Sequence, residues 1–218
     1  MLLNLLLQSP LIGLVWIAAI VIALTVHEFA HALVGSWRGD RTAEDMGRLT
    51  LNPLAHIDIF GFVMLIVIGF GWAKPVPFDP RNLKNPLVDG MLIALAGPAA
   101  NLILAGIAAL VFRGLLAGNV LGFDTLLAIF LVLLVFVDLL LLFFNLIPIY
   151  PLDGSKVVDV ALGGTRFDFI RQWLMQYGPR LLLGLVLISM LTNLNPFVVI
   201  QVPAATMCDA MIGMSCGF

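Results

Sequence analysis

Apolar runs of membrane-spanning length dominate the sequence. The first extends from Leu11 to about Ser36, enough helix to cross a hydrocarbon core of about 30 Å at 1.5 Å per residue. A second runs from about Leu87 to Phe112 and contains Gly97-Pro98, which membrane helices tolerate where neighbours satisfy the freed carbonyl. A third runs from about Thr125 to Leu146 and stops at Asn145-Leu146-Ile147-Pro148. A fourth, shorter, starts after Pro179 and ends near Asn193-Leu194-Asn195-Pro196. Between the first two lies Ile59 to Trp72, apolar but only about fourteen residues long, with Gly61, Gly69 and Gly71. That length predicts a re-entrant or interfacial segment rather than a crossing. Gly47 to Pro53 alternates like a strand before a turn, and Lys74 to Pro80 is held extended by its prolines. Those two pieces are expected to pair as a small β hairpin at the membrane face. The predicted fold is an all-α polytopic membrane bundle of about four spanning helices, with the re-entrant segment and the hairpin attached. No internal repeat or low-complexity linker divides it, so 1–218 reads as one domain. Residues 196–218, broken by Pro203 and Gly213, read as a last partial span or an interfacial helix.

Composition agrees with a bilayer setting. Apolar residues make up 61% of the 218 and charged residues 11%, against roughly 45–50% and about 25% in soluble domains. Such a chain cannot cover itself with charge in water, which excludes a soluble globular enzyme and a disordered chain. Net charge is −2 with no basic block, so nucleic acid is not an expected partner. No Lys or Arg precedes Arg38, so the first run lacks the basic flank of a signal peptide and reads as a retained helix. Cys208 and Cys216 show neither CxxC nor finger spacing and read as small apolar residues.

The chemistry sits in His27-Glu28-Phe29-Ala30-His31, inside the first run. Residues four apart share a helix face, so both imidazoles can reach one metal ion, and Glu28 can reach a water beside it. HExxH alone occurs by chance in soluble helices. Near the centre of a spanning helix an ionised carboxylate costs on the order of 2.5–3.5 kcal/mol, which calls for a compensating role. A catalytic zinc takes three protein ligands and leaves one position open. Asp153, in Ile147-Pro-Ile-Tyr-Pro-Leu-Asp-Gly154, is the best third candidate; otherwise it is a turn residue or the N-cap of the next helix.

Parity tests that choice. His27 and His31 lie in the C-terminal half of their helix, and Asp153 lies just past the C-terminal end of its own. Equal depth requires parallel helices, which holds if Ile59–Trp72 does not cross. Ten of the eleven Lys and Arg residues then fall on one side and only Arg113 on the other; a crossing would make the split seven to four. The positive-inside rule favours the first arrangement, with the amino terminus outward and the metal site nearer the cytoplasm.

Together, HEFAH in one helix, Gly97-Pro-Ala-Ala-Asn101 in the next, and Phe144-Asn-Leu-Ile-Pro-Ile-Tyr-Pro-Leu-Asp-Gly154 resemble the site-2 protease family of intramembrane zinc metallopeptidases. The resemblance covers roughly residues 11 to 160 and looks like a compact prokaryotic form with neither PDZ nor CBS domain. It implies one Zn²⁺ per chain held by His27, His31 and Asp153, Glu28 as the catalytic base, and transmembrane proteins as substrates. Asn145 and Asn101 are candidate oxyanion donors or supporting groups, with plain interhelical hydrogen bonding as the alternative. His56 could enter the site, or sit at the membrane interface. Asp138, Asn101, Asn145 and His56 are candidates to line a water path, and Asp138 is expected to face the bundle interior on a structural partner rather than the metal. The competing functions are an ion-coupled transporter, for which matched repeats are absent, and a membrane zinc-binding scaffold without protease activity.

Overall fold

A computed structural model of the protein describes residues 2–120, 122–192 and 194–216. Its α-helices are, in order, α1 Leu2–Gln8, α2 Pro10–Arg38, α3 Thr42–Asp45, α4 Ile59–Ile68, α5 Pro86–Ala117, α6 Leu126–Asn145, α7 Gly154–Leu162, α8 Asp168–Leu191 and α9 Val198–Ile212. Of these, α2, α5, α6 and α8 are long and apolar enough to cross a membrane. Their boundaries follow local chemistry. Pro10 and Pro86 occupy first-turn positions, where a missing N–H is harmless. Thr125 caps α6 by accepting from the Ala128 N–H at 3.2 Å, and Asp58 caps α4 by accepting from the Gly61 N–H at 2.8 Å.

The core lies where α2, α5, α6 and α9 meet. Ala19 and Ala23 of α2, and Ala105, Ala108 and Ala109 of α5, are buried against α6 residues such as Leu133, Val135 and Leu139. Lipid is as apolar as leucine, so membrane helices associate by close van der Waals contact, and small residues allow it. Trp16 adds an edge-on contact to Phe136 at 6.5 Å between ring centres. Outward-facing Leu110 and Ile103 are 73% and 63% exposed, as expected of lipid-facing positions.

Several expectations change. Among the described residues no β hairpin forms. The only bridge among the described residues pairs Ile57 with Ala73, and residues 47–52 are a turn and bends leading into a short 3-10 helix at Pro53–Ala55. Pro75, Pro77 and Pro80 cannot donate to a ladder. The two pieces are joined instead by Arg48, a buried side chain that donates to the carbonyls of Lys74 and Pro75. A re-entrant passage is not supported either: Ile59–Ile68 is a ten-residue helix that ends at Gly69, and Ile59 and Phe60 on it are largely exposed. The fourth long helix begins at Asp168, before Pro179, which lies inside it; Asn193, at its expected end, lies outside the described residues.

The carboxyl-terminal stretch forms α9, whose Ala204, Cys208 and Ile212 are buried in the core. At 15 residues it spans about 22 Å. Cys208 and Cys216 are bonded to each other rather than being free small residues. The chain turns back at Gly213, and the Cys216 N–H donates to Asp209 Oδ1 at 2.6 Å, which brings the two sulfurs together.

Candidate metal centre

The HExxH face of α2 turns toward α5. His27 Nε2 and His31 Nε2 are 3.0 Å apart. Asp153 Oδ2 lies 3.2 Å from the first and 3.5 Å from the second. Among the described residues these are the only three metal-ligating side chains so grouped, all ligand atoms lying within 4.8 Å of one another.

Hydrogen bonding on the far side of each ring sets which nitrogen is free. His31 Nδ1 is 2.7 Å from the Ile93 carbonyl oxygen, which only accepts, so Nδ1 carries the proton. Pro98 has no N–H to offer Ala94 O, so the α5 ladder is interrupted beside the carbonyl that His31 uses. His27 Nδ1 is 2.6 Å from Asn101 Oδ1. The Asn101 amide N–H groups point at Ala23 O, 3.2 Å away, and Asp138 Oδ1, 2.5 Å away, so its oxygen must face His27. In neutral rings both Nε2 atoms therefore present lone pairs to each other and to a carboxylate oxygen that has no hydrogen-bond donor. Three acceptors at this spacing repel unless a cation, a proton or a metal ion, lies among them. The donor set fits zinc.

Two glycines make the approach possible. A Cβ on Gly97 would fall 2.5 Å from His31 Nε2 and from His27 Cε1, so only glycine lets α5 pass beneath the rings. A Cβ on Gly154 would fall 2.4 Å from Leu146 O, where the chain folds back after α6 to deliver Asp153. Asp153 stands at the N-cap position of α7 yet makes no capping bond; its carboxylate faces the imidazoles instead. That loop is tied down by buried Asp159, which accepts from the Tyr150 hydroxyl and pairs with Lys156 at 3.3 Å and with Arg171 of α8 at 3.6 Å.

A cavity of about 720 Å³ opens onto the centre, lined among others by Glu28, His27, His31 and Asp153. Glu28, next to His27 in the chain, is buried. Asn145 also lines this cavity, with one amide N–H on Leu141 O of its own helix at 3.1 Å. The lining also includes Pro75, Val76 and Phe78 of the chain before α5 and Leu183 and Leu187 of α8.

The remaining predicted residues lie elsewhere. Asn101 and Asp138 are fully buried behind His27, outside the cavity lining, and both Asn101 N–H directions are taken. His56 lines a second cavity of about 450 Å³ and donates from Nε2 to Thr50 O at 2.8 Å. Sequence reading missed the Asp159 tie and the close approach at Gly97. The Gly-Pro pair was a signal that α5 is irregular there, though not of what passes it.

Comparison with known proteins shows the family. The sequence model for "Peptidase family M50" matches residues 15–125, which contain the HExxH motif and Asn101. The chain belongs to peptidase family M50. It is 42% identical over 146 residues to "Putative zinc metalloprotease YwhC" of Bacillus subtilis (strain 168), covering 66% of this chain and 67% of that protein. It is 35% identical over 156 residues to "Putative zinc metalloprotease Rip2" of Mycolicibacterium smegmatis, covering 67% of this chain and 56% of the relative. The protein of the same name from Mycobacterium tuberculosis (strain Erdman) is 34% identical over 154 residues, with 56% of its length covered. The chain thus spans little more than half of the mycobacterial relatives. No solved structure matches it. Family membership and four spanning-length helices make it an integral membrane protein.

Proposed function

We propose that the protein is an intramembrane zinc metalloprotease acting on transmembrane protein substrates. His27, His31 and Asp153 hold one zinc ion, and Glu28 is the general base. The observation that carries this reading is the meeting of two imidazole lone pairs and an undonated carboxylate oxygen within 4.8 Å, beside a buried glutamate at a cavity of about 720 Å³. Zinc bound there supplies Lewis acidity, making water a nucleophile near neutral pH and polarising the scissile carbonyl.

The chain's own residues do the rest. Ile93 O and Asn101 hold the two rings with Nε2 directed inward. Glu28 takes the proton of the attacking water and later delivers it to the leaving amine, a role for which its place beside the ligands suits it. Asn145, on the same cavity, is positioned to orient substrate polar groups. The apolar walls from α4 to α8 exclude bulk water. A substrate helix must unwind to expose a carbonyl, and the extended wall at 73–78 is a surface along which an unwound stretch can lie. One domain of residues 1–218 carries all of this.

Orientation follows from charge. The ligands lie toward the helix ends rich in Arg and Lys, a bias that supports an active site nearer the cytoplasm of a prokaryotic cell membrane. The Cys208–Cys216 bond supports this. It lies at the end of α9 near Arg113, whose Nη1 reaches Met211 O at 3.5 Å, and Arg113 is the one basic residue that the charge count assigns to the far side. Disulfides persist on the oxidising side of a membrane.

The test compares wild type with Glu28→Gln in proteoliposomes containing a single-span substrate. Zinc near one per chain in both, with cleavage reduced about 10²–10⁴-fold in the variant, is expected. Wild type that binds no zinc overturns the metal centre, and zinc without cleavage in either form returns the scaffold reading.

A further inference from the structure

Asp138 is a carboxylic acid at the middle of α6, the most deeply packed of the long helices, and it is fully buried. Its single hydrogen bond among the described residues is the one its Oδ1 accepts from Asn101 Nδ2 at 2.5 Å; Oδ2 has no partner. An acid so placed is a poor structural cross-link, because half of its hydrogen-bonding capacity is unused. It lies outside the lining of the zinc cavity, so it cannot touch substrate.

What it does touch is the residue that determines the state of His27. An asparagine amide can be turned either way in a protein, and the two orientations present opposite chemistry to a neighbour. With its oxygen toward His27, Asn101 accepts a proton from Nδ1 and leaves Nε2 free for metal. With its nitrogen there, it would donate to Nδ1 and force the proton onto Nε2, closing that ligand position. Ala23 O and Asp138 Oδ1 both lie on the nitrogen side of the amide. Of the two acceptors, Asp138 Oδ1 is the closer, at 2.5 Å against 3.2 Å for Ala23 O. We propose that Asp138 is a positioning residue for the metal centre, fixing the Asn101 amide so that His27 is held as the tautomer that binds zinc through Nε2. The series Asp138, Asn101, His27 crosses three helices, α6, α5 and α2, so it also ties ring orientation to the packed core.

The inference rests on the zinc reading, and zinc affinity separates the two. Affinity is measured by competition with a chromophoric chelator on the full-length protein in detergent, alongside thermal unfolding of the zinc-free form. Asp138→Leu keeps approximate volume and removes the acceptor. The expected result is zinc affinity weakened about 10–100-fold, with the zinc-free unfolding temperature held or raised. Asn101→Ala is expected to weaken zinc to a similar extent, and the double variant to be no weaker than Asn101→Ala alone, since Asp138 acts only through Asn101. Asp138→Asn still offers an amide oxygen to Asn101 and should retain affinity within about threefold, a rescue that keeps the test alive if Asp138→Leu fails to fold. Unchanged affinity in Asp138→Leu, a double variant with multiplied losses, or Asp138→Asn as weak as Asp138→Leu overturns the proposal while leaving the zinc centre intact. Wild type without zinc overturns the centre itself.

Discussion

The two walls of the zinc cavity are built differently. On one side α2, α5 and α6 line the cavity and pack closely, and 56% of the most apolar window of α6 is buried within the protein. On the other side α8 has only 17% of its window buried, and in α4 the one buried residue is Gly61. The dense wall carries His27, His31 and every group that orients them. The loose wall carries none of the ligands and supplies mostly apolar lining. Close packing holds ligand atoms to the tolerance that a metal needs, whereas a wall with few partners can yield to admit a helical substrate from lipid. Asp153 joins the two, since its loop follows α6 and is tied through Asp159 to Arg171 of α8.

The sharpest way to break this contrast is in the dense wall. Phe112, 1% exposed among α5, α6 and α9, is expected to cost about 3–5 kcal/mol as Phe112→Ala, read by thermal unfolding. A loss below about 1 kcal/mol would mean the core is not tightly packed. Next comes Gly97→Ala. Its new methyl group would overlap the imidazoles, so zinc affinity should fall about 100-fold, while overpacking lowers stability by about 1–3 kcal/mol. Unchanged zinc binding would show that α5 and α2 separate easily. The smallest effect is expected from the loose wall. Leu187→Trp narrows the cavity at a residue already 44% exposed. Stability should stay within about 0.5 kcal/mol, zinc should remain, and KM for a single-span substrate should rise about tenfold. A large loss of stability there would erase the distinction between the walls.

Much of the site was legible in the sequence because it depends on short-range geometry. Four-residue spacing on a helix places His27 and His31 on one face in any fold, and Glu28 must then lie beside the first. Span lengths and charge placement were enough to bring Asp153 to the same depth by parity. The three long runs around the site start and stop within about five residues of α2, α5 and α6, since Pro10 and Pro86 favour helix starts, Thr125 caps α6, and Gly39 and Gly118 follow the ends of α2 and α5. The fourth was misjudged because Pro179 reads locally as a start, yet a membrane helix can continue through it when its neighbours allow.

The expected hairpin failed for a related reason. Alternation at 47–53 satisfies a local strand pattern, but a sheet needs donors on both sides, and the partner segment is rich in proline. Arg48 supplies the link instead, with its charge buried against carbonyls that no spacing rule identifies.

The sequence by itself determined that this is a membrane bundle with two histidines and a glutamate on one spanning helix, and gave the reason to expect Asp153 beside them. Hydropathy, helical period and charge are properties of residues near one another in the chain. Only the tertiary structure decided that Gly97 passes under the two rings, that Asn101 and Asp138 stand in series behind His27, that Asp159 anchors the Asp153 loop, and that Cys208 meets Cys216. Each of these is a contact between side chains brought together by packing or by a turn. Which partner a buried polar group finds is settled by how the helices rotate and cross, and that follows from the shape of the whole core rather than from any one segment.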